Sequence, residues 1–191
     1  MTNLFNILLA LAIALIGGFG SAYMTVANDS ALPEIKVATW TGHVAATSRT
    51  ANPYTKAILS RSAAVPLSAT EAISFATKTD ADGNPLRGGC TYRLMGQELA
   101  ARWWTLTVTG IDGQLVNNSA QRQTMNNMEI LRAADGAFQI TLAPQAHAGN
   151  WLPSPASGRI RLLLNLYDTA LFTDGSLAEL ILPRIQEVDC P

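Results

Sequence analysis

The sequence has 191 residues, of which 48% are hydrophobic and 14% are charged, and its formal net charge is -1. This composition excludes an intrinsically disordered chain, which would be poorer in apolar residues and richer in charge. No cluster of Lys and Arg occurs, which excludes nucleic acid as a partner, because contacts with phosphates need a basic surface.

The first 28 residues carry no charged side chain, and the stretch from Leu4 to Met24 is almost entirely apolar. As a helix, this stretch would be about 31 Å long, enough to span the hydrocarbon core of a bilayer. We expect residues 1–28 to be a membrane anchor. A cleaved signal peptide is the alternative, because small residues at positions 20–22 and 25–27 suit a cleavage site. The anchor is favoured, since the segment lacks an early Lys or Arg and exceeds the usual signal length.

Four small residues recur at a spacing of four in this segment, at Ala10, Ala14, Gly18 and Ala22. Such a stripe permits close approach of a second membrane helix, as in a structural accessory subunit of a membrane complex. The alternative is that Ala and Gly are simply abundant in apolar helices.

The chain has two cysteines, Cys90 and Cys190. In an exported domain the simplest interpretation is one disulfide. Without CxxC spacing, and with only His43 and His147 as further ligands, a zinc site is disfavoured, and we expect no metal and no cofactor. Together with the anchor, the disulfide predicts a single-pass protein of the cytoplasmic membrane with its body in the periplasm or another extracytoplasmic space.

Residues 29–35 are predicted to form a linker, and residues 36–191 to form one domain, since this length buries one core comfortably. Asn52 followed by Pro53 predicts the start of a short helix. Beyond this helix the apolar residues alternate with period two, which indicates strands. The runs are residues 71–77, 90–94, 102–108, 138–142, 159–168 and 181–188.

Turn signals separate these runs, and four of them are Asp-Gly pairs, at residues 82–83, 112–113, 135–136 and 174–175. They predict meandering antiparallel strands. A sheet with one apolar face has to bury it against another sheet, so the predicted fold is mainly β, an antiparallel β-sandwich or jelly roll with one short helix.

Catalytic patterns are lacking: the sequence has no GxSxG, HExxH, P-loop or GxGxxG motif. Asp80–Asn84 resembles a calcium loop but lacks the correctly spaced Gly and Glu, so a hairpin turn is predicted. Asp168 and Glu98 are candidates for an acid pair that would act on envelope carbohydrate, but a sequence does not show their separation. We expect the protein not to be an enzyme.

One face of the predicted sheet is both aromatic and polar, and this is the candidate ligand site. An aromatic ring beside polar donors can stack on a sugar and bind its hydroxyls. The alternative is that the helix after Pro53 or a loop covers this face, or that it is merely wet. The face comprises Trp103, Thr105, Thr107, Thr109, Gln139, Arg159, Arg161, Asn165 and Tyr167.

Several short motifs occur in an order that resembles the bacterial domain of unknown function 1214. The most specific is Asn150-Trp151-Leu152-Pro153, which precedes Leu164-Asn165-Leu166-Tyr167. The others are Asn52-Pro53-Tyr54, Asp82-Gly83 with Leu86, Trp104-Thr105-Leu106-Thr107, Asp112-Gly113 and Asp135-Gly136-Ala137-Phe138.

The resemblance covers most of residues 36–190. It implies an exported or membrane-anchored β-sandwich or jelly-roll domain and adds no reaction. An Arg often stands in the family where this chain has Asn165, so an anion site at that position does not carry over.

The resemblance directs attention to Asn150 and Trp151, which we interpret as part of a loop stiffened by Pro153. They either line a pocket or serve the structure, the Trp by closing the end of the sandwich and the Asn by binding loop amides. The leading hypothesis is a membrane-tethered binding domain that contacts a protein partner or a glycan through the aromatic face and this loop.

Overall fold

The structure, a computed structural model, describes residues 2–28, 34–42, 52–61, 71–169 and 180–191. The chain divides into two compact units. The first contains Met1–Pro33 and Ala45–Pro66, and the second contains Glu34–Val44 and Leu67–Pro191. His43 and the Asp-Gly pair at 174–175 lie outside the described residues.

The first unit contains two helices. Helix α1, Thr2–Ala27, holds a stretch that is long and apolar enough to cross a membrane, and an uncleaved signal sequence meets the same criterion. The small-residue stripe lies in α1, with Ala10, Ala14 and Gly18 exposed and Ala22 half-buried.

Helix α2, Pro53–Arg61, is the short helix that the sequence predicts. The Oδ1 of Asn52 accepts a hydrogen bond from the Thr55 N–H at 2.8 Å, so Asn52 is its N-cap. The helix groups with α1 rather than with the strands.

The second unit is a two-sheet β domain, which confirms the predicted fold class. Strands that the sequence analysis did not predict are β1, β2, β6 and β8, and β1 begins at Ile35, the last residue of the predicted linker. In chain order the strands are β1 Ile35–Val37, β2 Trp40–Gly42, β3 Ala72–Thr77, β4 Thr91–Gly96, β5 Trp103–Gly110, β6 Thr124–Asn126, β7 Phe138–Ala143, β8 Asn150–Pro153, β9 Ile160–Tyr167 and β10 Arg184–Asp189.

The larger sheet has the order β1-β2-β3-β9-β5-β6 and is antiparallel throughout. The smaller has the order β10-β4-β7-β8, and its β7–β8 pair is parallel, with Ile140 beside Asn150. The prediction of an entirely antiparallel meander is therefore wrong at this pair. The chain between the two strands returns to the end of the sheet at which β7 begins, so β8 runs in the same direction as β7.

The inner faces of the two sheets share one core, which includes Leu94 and Ile140 from the smaller sheet and Leu106 and Leu164 from the larger. Trp104 stacks on Phe138 with ring centroids 5.4 Å apart. The predicted alternation in β7 and β9 is confirmed. In β5 the inward Trp104, Leu106 and Val108 are buried as predicted, but the outward Thr107 and Thr109 are buried as well.

The hairpin at Asp80 is also confirmed. Its carboxylate is buried and accepts hydrogen bonds from the N–H groups of Asp82 at 3.0 Å and Asn84 at 2.8 Å, and Gly83 supplies a φ of 87°. The predicted disulfide between Cys90 and Cys190 is present and links the residue before β4 to the end of the chain.

Candidate functional site

The outer face of the larger sheet has an aromatic pair at one end. Trp103 begins β5 and is paired in register with Tyr167, the last residue of β9. The Trp103 side chain is 39% exposed, and Tyr167 is half-buried. Two rings at neighbouring positions on an open face offer apolar area whose ordering costs little entropy.

A row of polar side chains crosses three strands beside this aromatic pair. The Oγ of Ser74 donates a hydrogen bond to Oδ1 of Asn165 at 2.6 Å, and Nδ2 of Asn165 lies 3.3 Å from Oγ1 of Thr105. The register places the three residues side by side. The sequence grouped Asn165 and Thr105 correctly on one face, and it missed Ser74, which belongs to a strand 91 residues away.

Arg161 shares this face but lies far from the aromatic pair. It stands six residues before Tyr167 on the same strand, a separation of roughly 20 Å at about 3.3 Å per residue. Its Nε lies 3.4 Å from Oγ1 of Thr109, and Leu163 interrupts the polar surface between the two ends. The predicted outer-face set is therefore divided, and we name Trp103, Tyr167, Asn165, Thr105 and Ser74 the aromatic site.

Asn150 belongs to β8 of the other sheet, so the interpretation of its motif as a loop is wrong. Its Oδ1 accepts a hydrogen bond from Leu131 N–H at 2.6 Å, and its Nδ2 donates to Leu131 C=O at 2.8 Å and to Gln139 C=O at 2.9 Å. Through these three bonds, the buried amide joins the segment around Leu131 to the edge of the smaller sheet.

Trp151 points to the outer side of the same edge strand, opposite Thr141. Its Nε1 donates to Ala143 C=O at 2.9 Å, and Arg122 lies over its ring at 5.9 Å while donating to its carbonyl oxygen. Arg122 precedes β6, so these contacts join the edges of the two sheets. Trp151 and Trp103 lie in different sheets and do not form one site.

The outer face of the smaller sheet carries an open groove with a volume of about 700 Å³. Gln139, which the sequence analysis placed on the aromatic face, lies here instead, because β7 belongs to the smaller sheet. Period-two alternation tells which side of a strand is outward but not which sheet contains the strand. The groove is lined by Met95, Gln97, Leu131, Gln139, Thr141, Asn150, Ile181 and Arg184, together with nearby Ala, Gly and core residues.

The two candidate acidic residues are exposed, so neither is an acid buried in a cleft. Asp168 is exposed and lies 3.4 Å from Arg102, and Glu98 is exposed in the loop after β4. Among the described residues Asp80 is the buried acid, and its carboxylate is bound to the amides of its own hairpin. His147 is exposed.

Two further titratable sites are the Cys90, Cys190 and Glu187 cluster and the phenol of Tyr92, and neither forms a catalytic arrangement. Sulfur and carboxylate atoms of Cys90, Cys190 and Glu187 lie within 4.8 Å of one another, but both sulfurs belong to the disulfide. Burial raises the pKa of Tyr92 above its usual 10.0, and the Arg87 N–H, which donates to the phenol oxygen at 3.0 Å, opposes this shift.

A family model described as a protein of unknown function, DUF1214, matches residues 71–171. The chain belongs to the DUF1214 family. The matched region contains β3 to β9, and so most of both sheets of the DUF1214 domain. No protein of curated function matches the chain.

Solved structures of two bacterial proteins are among those similar to this chain. The VPA0106 protein from Vibrio parahaemolyticus is 20% identical, with a TM-score of 0.60, and the match covers 73% of this chain and 36% of that one. An uncharacterised protein from Burkholderia cenocepacia is 20% identical, with a TM-score of 0.43, covering 63% and 30%. The DUF1214 chain described here thus matches about a third of the length of each.

Proposed function

We propose that this DUF1214 protein is a membrane-tethered, extracytoplasmic binding domain of the bacterial cell envelope, and that its aromatic site binds a glycan. The observation that carries the proposal is the exposed Trp103 beside Tyr167, next to the polar row formed by Ser74, Asn165 and Thr105. Helix α1 serves as the anchor, and the disulfide suits an oxidising compartment.

The chemistry of the aromatic site suits a sugar ring. Sugars have apolar C–H faces that stack on aromatic rings, and hydroxyls that both donate and accept hydrogen bonds. The hydroxyls of Ser74 and Thr105 and the amide of Asn165 provide both functions on one row. The site has no charged member, so neutral glycans are the expected ligands.

The test is a glycan-binding screen with the full chain in lipid nanodiscs. We expect Trp103→Ala and Tyr167→Ala each to weaken binding of a captured glycan at least tenfold, since each removes a stacking surface. Tyr54→Ala is the matched control, because Tyr54 is an exposed aromatic residue of α2 outside the site. If folded Trp103→Ala protein keeps full glycan binding, the proposal is contradicted. If the aromatic site captures a protein and no glycan, the ligand is a protein partner instead.

The proposed topology has a separate test. Protease added to spheroplasts should degrade residues 29–191 while a cytoplasmic marker survives. A body that becomes sensitive only after the membrane is lysed contradicts the extracytoplasmic placement. A shortened N-terminus on the mature protein, measured by mass spectrometry, would mean that α1 is a cleaved signal and not an anchor.

The stripe of small residues in α1, of which Ala10, Ala14 and Gly18 are exposed, favours a second role, as an accessory subunit of a membrane complex. Gly18→Leu and Ala14→Leu should then release the protein from a complex isolated in mild detergent. Ile16→Ala is a control at an exposed α1 position on the side of the helix opposite the stripe. Unchanged co-purification of the Gly18→Leu and Ala14→Leu variants counts against this role.

A further inference from the structure

The groove on the smaller sheet has a floor built by one row of the β register. Arg184 of β10 pairs with Met95 of β4, which pairs with Gln139 of β7. The groove continues to Asn150 on β8, so it crosses the whole sheet. Three spacings of about 4.8 Å between strands give a length of roughly 14 Å, which suits an acyl chain of medium length.

Apolar side chains that contact little protein line this groove. Ile181 is 73% exposed beside β10, Leu131 is 70% exposed beside β8, and Met95 on the floor is 37% exposed. They come from three separate parts of the sequence and converge on one concave surface, which marks a binding site more than scattered exposed residues would.

The position of Leu131 is fixed by the structure. Asn150 holds both backbone groups of Leu131 at the edge of the sheet, so the side chain remains exposed while its backbone is tied down. A wall that is already ordered loses little entropy on binding, which favours affinity for an apolar ligand.

The charged lining of the groove has one sign, which is positive. Arg184 is its charged lining residue, no described lining residue is an Asp or Glu, and Arg184 makes no ion pair with any part of the chain that the structure describes. The side-chain amides of Gln97 and Gln139 and the hydroxyl of Thr141 supply further polar groups, and the amide of Asn150 is already bound to Leu131 and Gln139. A ligand that matches this surface is apolar along its length and anionic at one end.

We propose that the groove binds an anionic amphiphile, an acyl chain with a carboxylate or phosphate head group. Arg184 pairs with the head group, and the acyl chain lies across Met95 toward Leu131. This site is independent of the proposed glycan site, because the outer faces of two packed sheets point in opposite directions.

The experiment is photo-crosslinking of the full chain in nanodiscs with dodecanoic acid that carries a diazirine near its methyl end. Peptide mass spectrometry should find most label on the segment that contains Leu131, at the end of the groove far from Arg184. Arg184→Gln should reduce that label at least fivefold. Arg93→Gln is the matched control, because Arg93 lies on the same outer face of β4 and does not line the groove.

Two further arms define the head group. The corresponding diazirine alcohol should give much weaker groove labelling, since it lacks the charge that Arg184 binds. Competition by unlabelled dodecanoate or by dodecyl phosphate then distinguishes a fatty acid from a phosphorylated lipid. Label confined to α1, equal labelling by the alcohol, or unchanged labelling of Arg184→Gln overturns the proposal.

Discussion

The side-chain amide of Asn150 forms with Leu131 the two hydrogen bonds that a neighbouring strand would form: its Oδ1 accepts from the Leu131 N–H, and its Nδ2 donates to the Leu131 C=O. Leu131 is thereby attached to the smaller sheet beyond its edge strand β8. The N–H and C=O of Leu131 would otherwise lack these hydrogen bonds, and unpaired backbone groups at a sheet edge favour aggregation.

Replacing Asn150 with Ala is expected to lower the free energy of unfolding by about 2 kcal/mol, because it leaves partly buried backbone groups of Leu131 and Gln139 unpaired. Urea denaturation measures this loss. Hydrogen exchange should show the Leu131 amide losing its protection. Gln97→Ala, an exposed substitution, is the control. Unchanged Leu131 exchange in Asn150→Ala would remove the structural role assigned to this amide.

The disulfide between Cys90 and Cys190 closes a loop with a sequence separation of 100. In the chain-entropy account, its removal costs up to about 4.7 kcal/mol of stability. We expect Cys90→Ser/Cys190→Ser to unfold at a lower urea concentration than the oxidised wild type. Reduction of the wild type should reproduce the loss and should not affect the double variant. If oxidised and reduced wild type unfold alike, the disulfide does not stabilise the fold.

Tyr92 predicts a specific alkaline sensitivity. Burial raises its pKa in the folded state, so above the unfolded value of 10.0 the unfolded chain loses this proton first. Its contribution to stability is therefore complete below pH 10 and is lost as the pH rises above 10. Wild type should lose stability more steeply between pH 10 and roughly pH 11 than Tyr92→Phe.

The control for the Tyr92 prediction is Tyr54→Phe, because Tyr54 is exposed. It should follow the wild-type pH dependence. The comparison uses slopes rather than absolute stabilities, since Tyr92→Phe also removes the acceptor of the Arg87 N–H. Identical slopes for wild type and Tyr92→Phe contradict the prediction.

Position 96 has room only for glycine, because the Phe138 ring lies beside it. A Cβ at Gly96 would lie 2.5 Å from Cζ of Phe138, whose ring stacks on Trp104. Gly96→Ala should therefore cost about 1 to 3 kcal/mol through overpacking. A double-mutant cycle with Phe138→Leu checks the cause, because the smaller side chain should relieve most of the added strain. Strictly additive losses would assign the effect to the backbone instead.

The sequence was most informative where a local pattern has a local cause. The N-cap of α2 by Asn52, the hairpin at Asp80 and the alternation in β7 and β9 were all predictable, because each depends on neighbours a few residues apart. The disulfide was predictable because two cysteines permit a single pairing. The four short strands were missed, since strands of three or four residues leave little periodicity to detect.

The tertiary structure alone decided how the outward side chains combine. Alternation places Gln139 and Trp103 outward, but only strand order puts them in different sheets, on opposite sides of the domain. The partners of Asn165 come from segments 91 and 60 residues away, and those of Asn150 from segments 19 and 11 residues away. The groove depends on Met95, Leu131 and Ile181 meeting across the sheet. The physical reason is that the period of a strand encodes its two faces, whereas pairing between distant strands determines which faces meet.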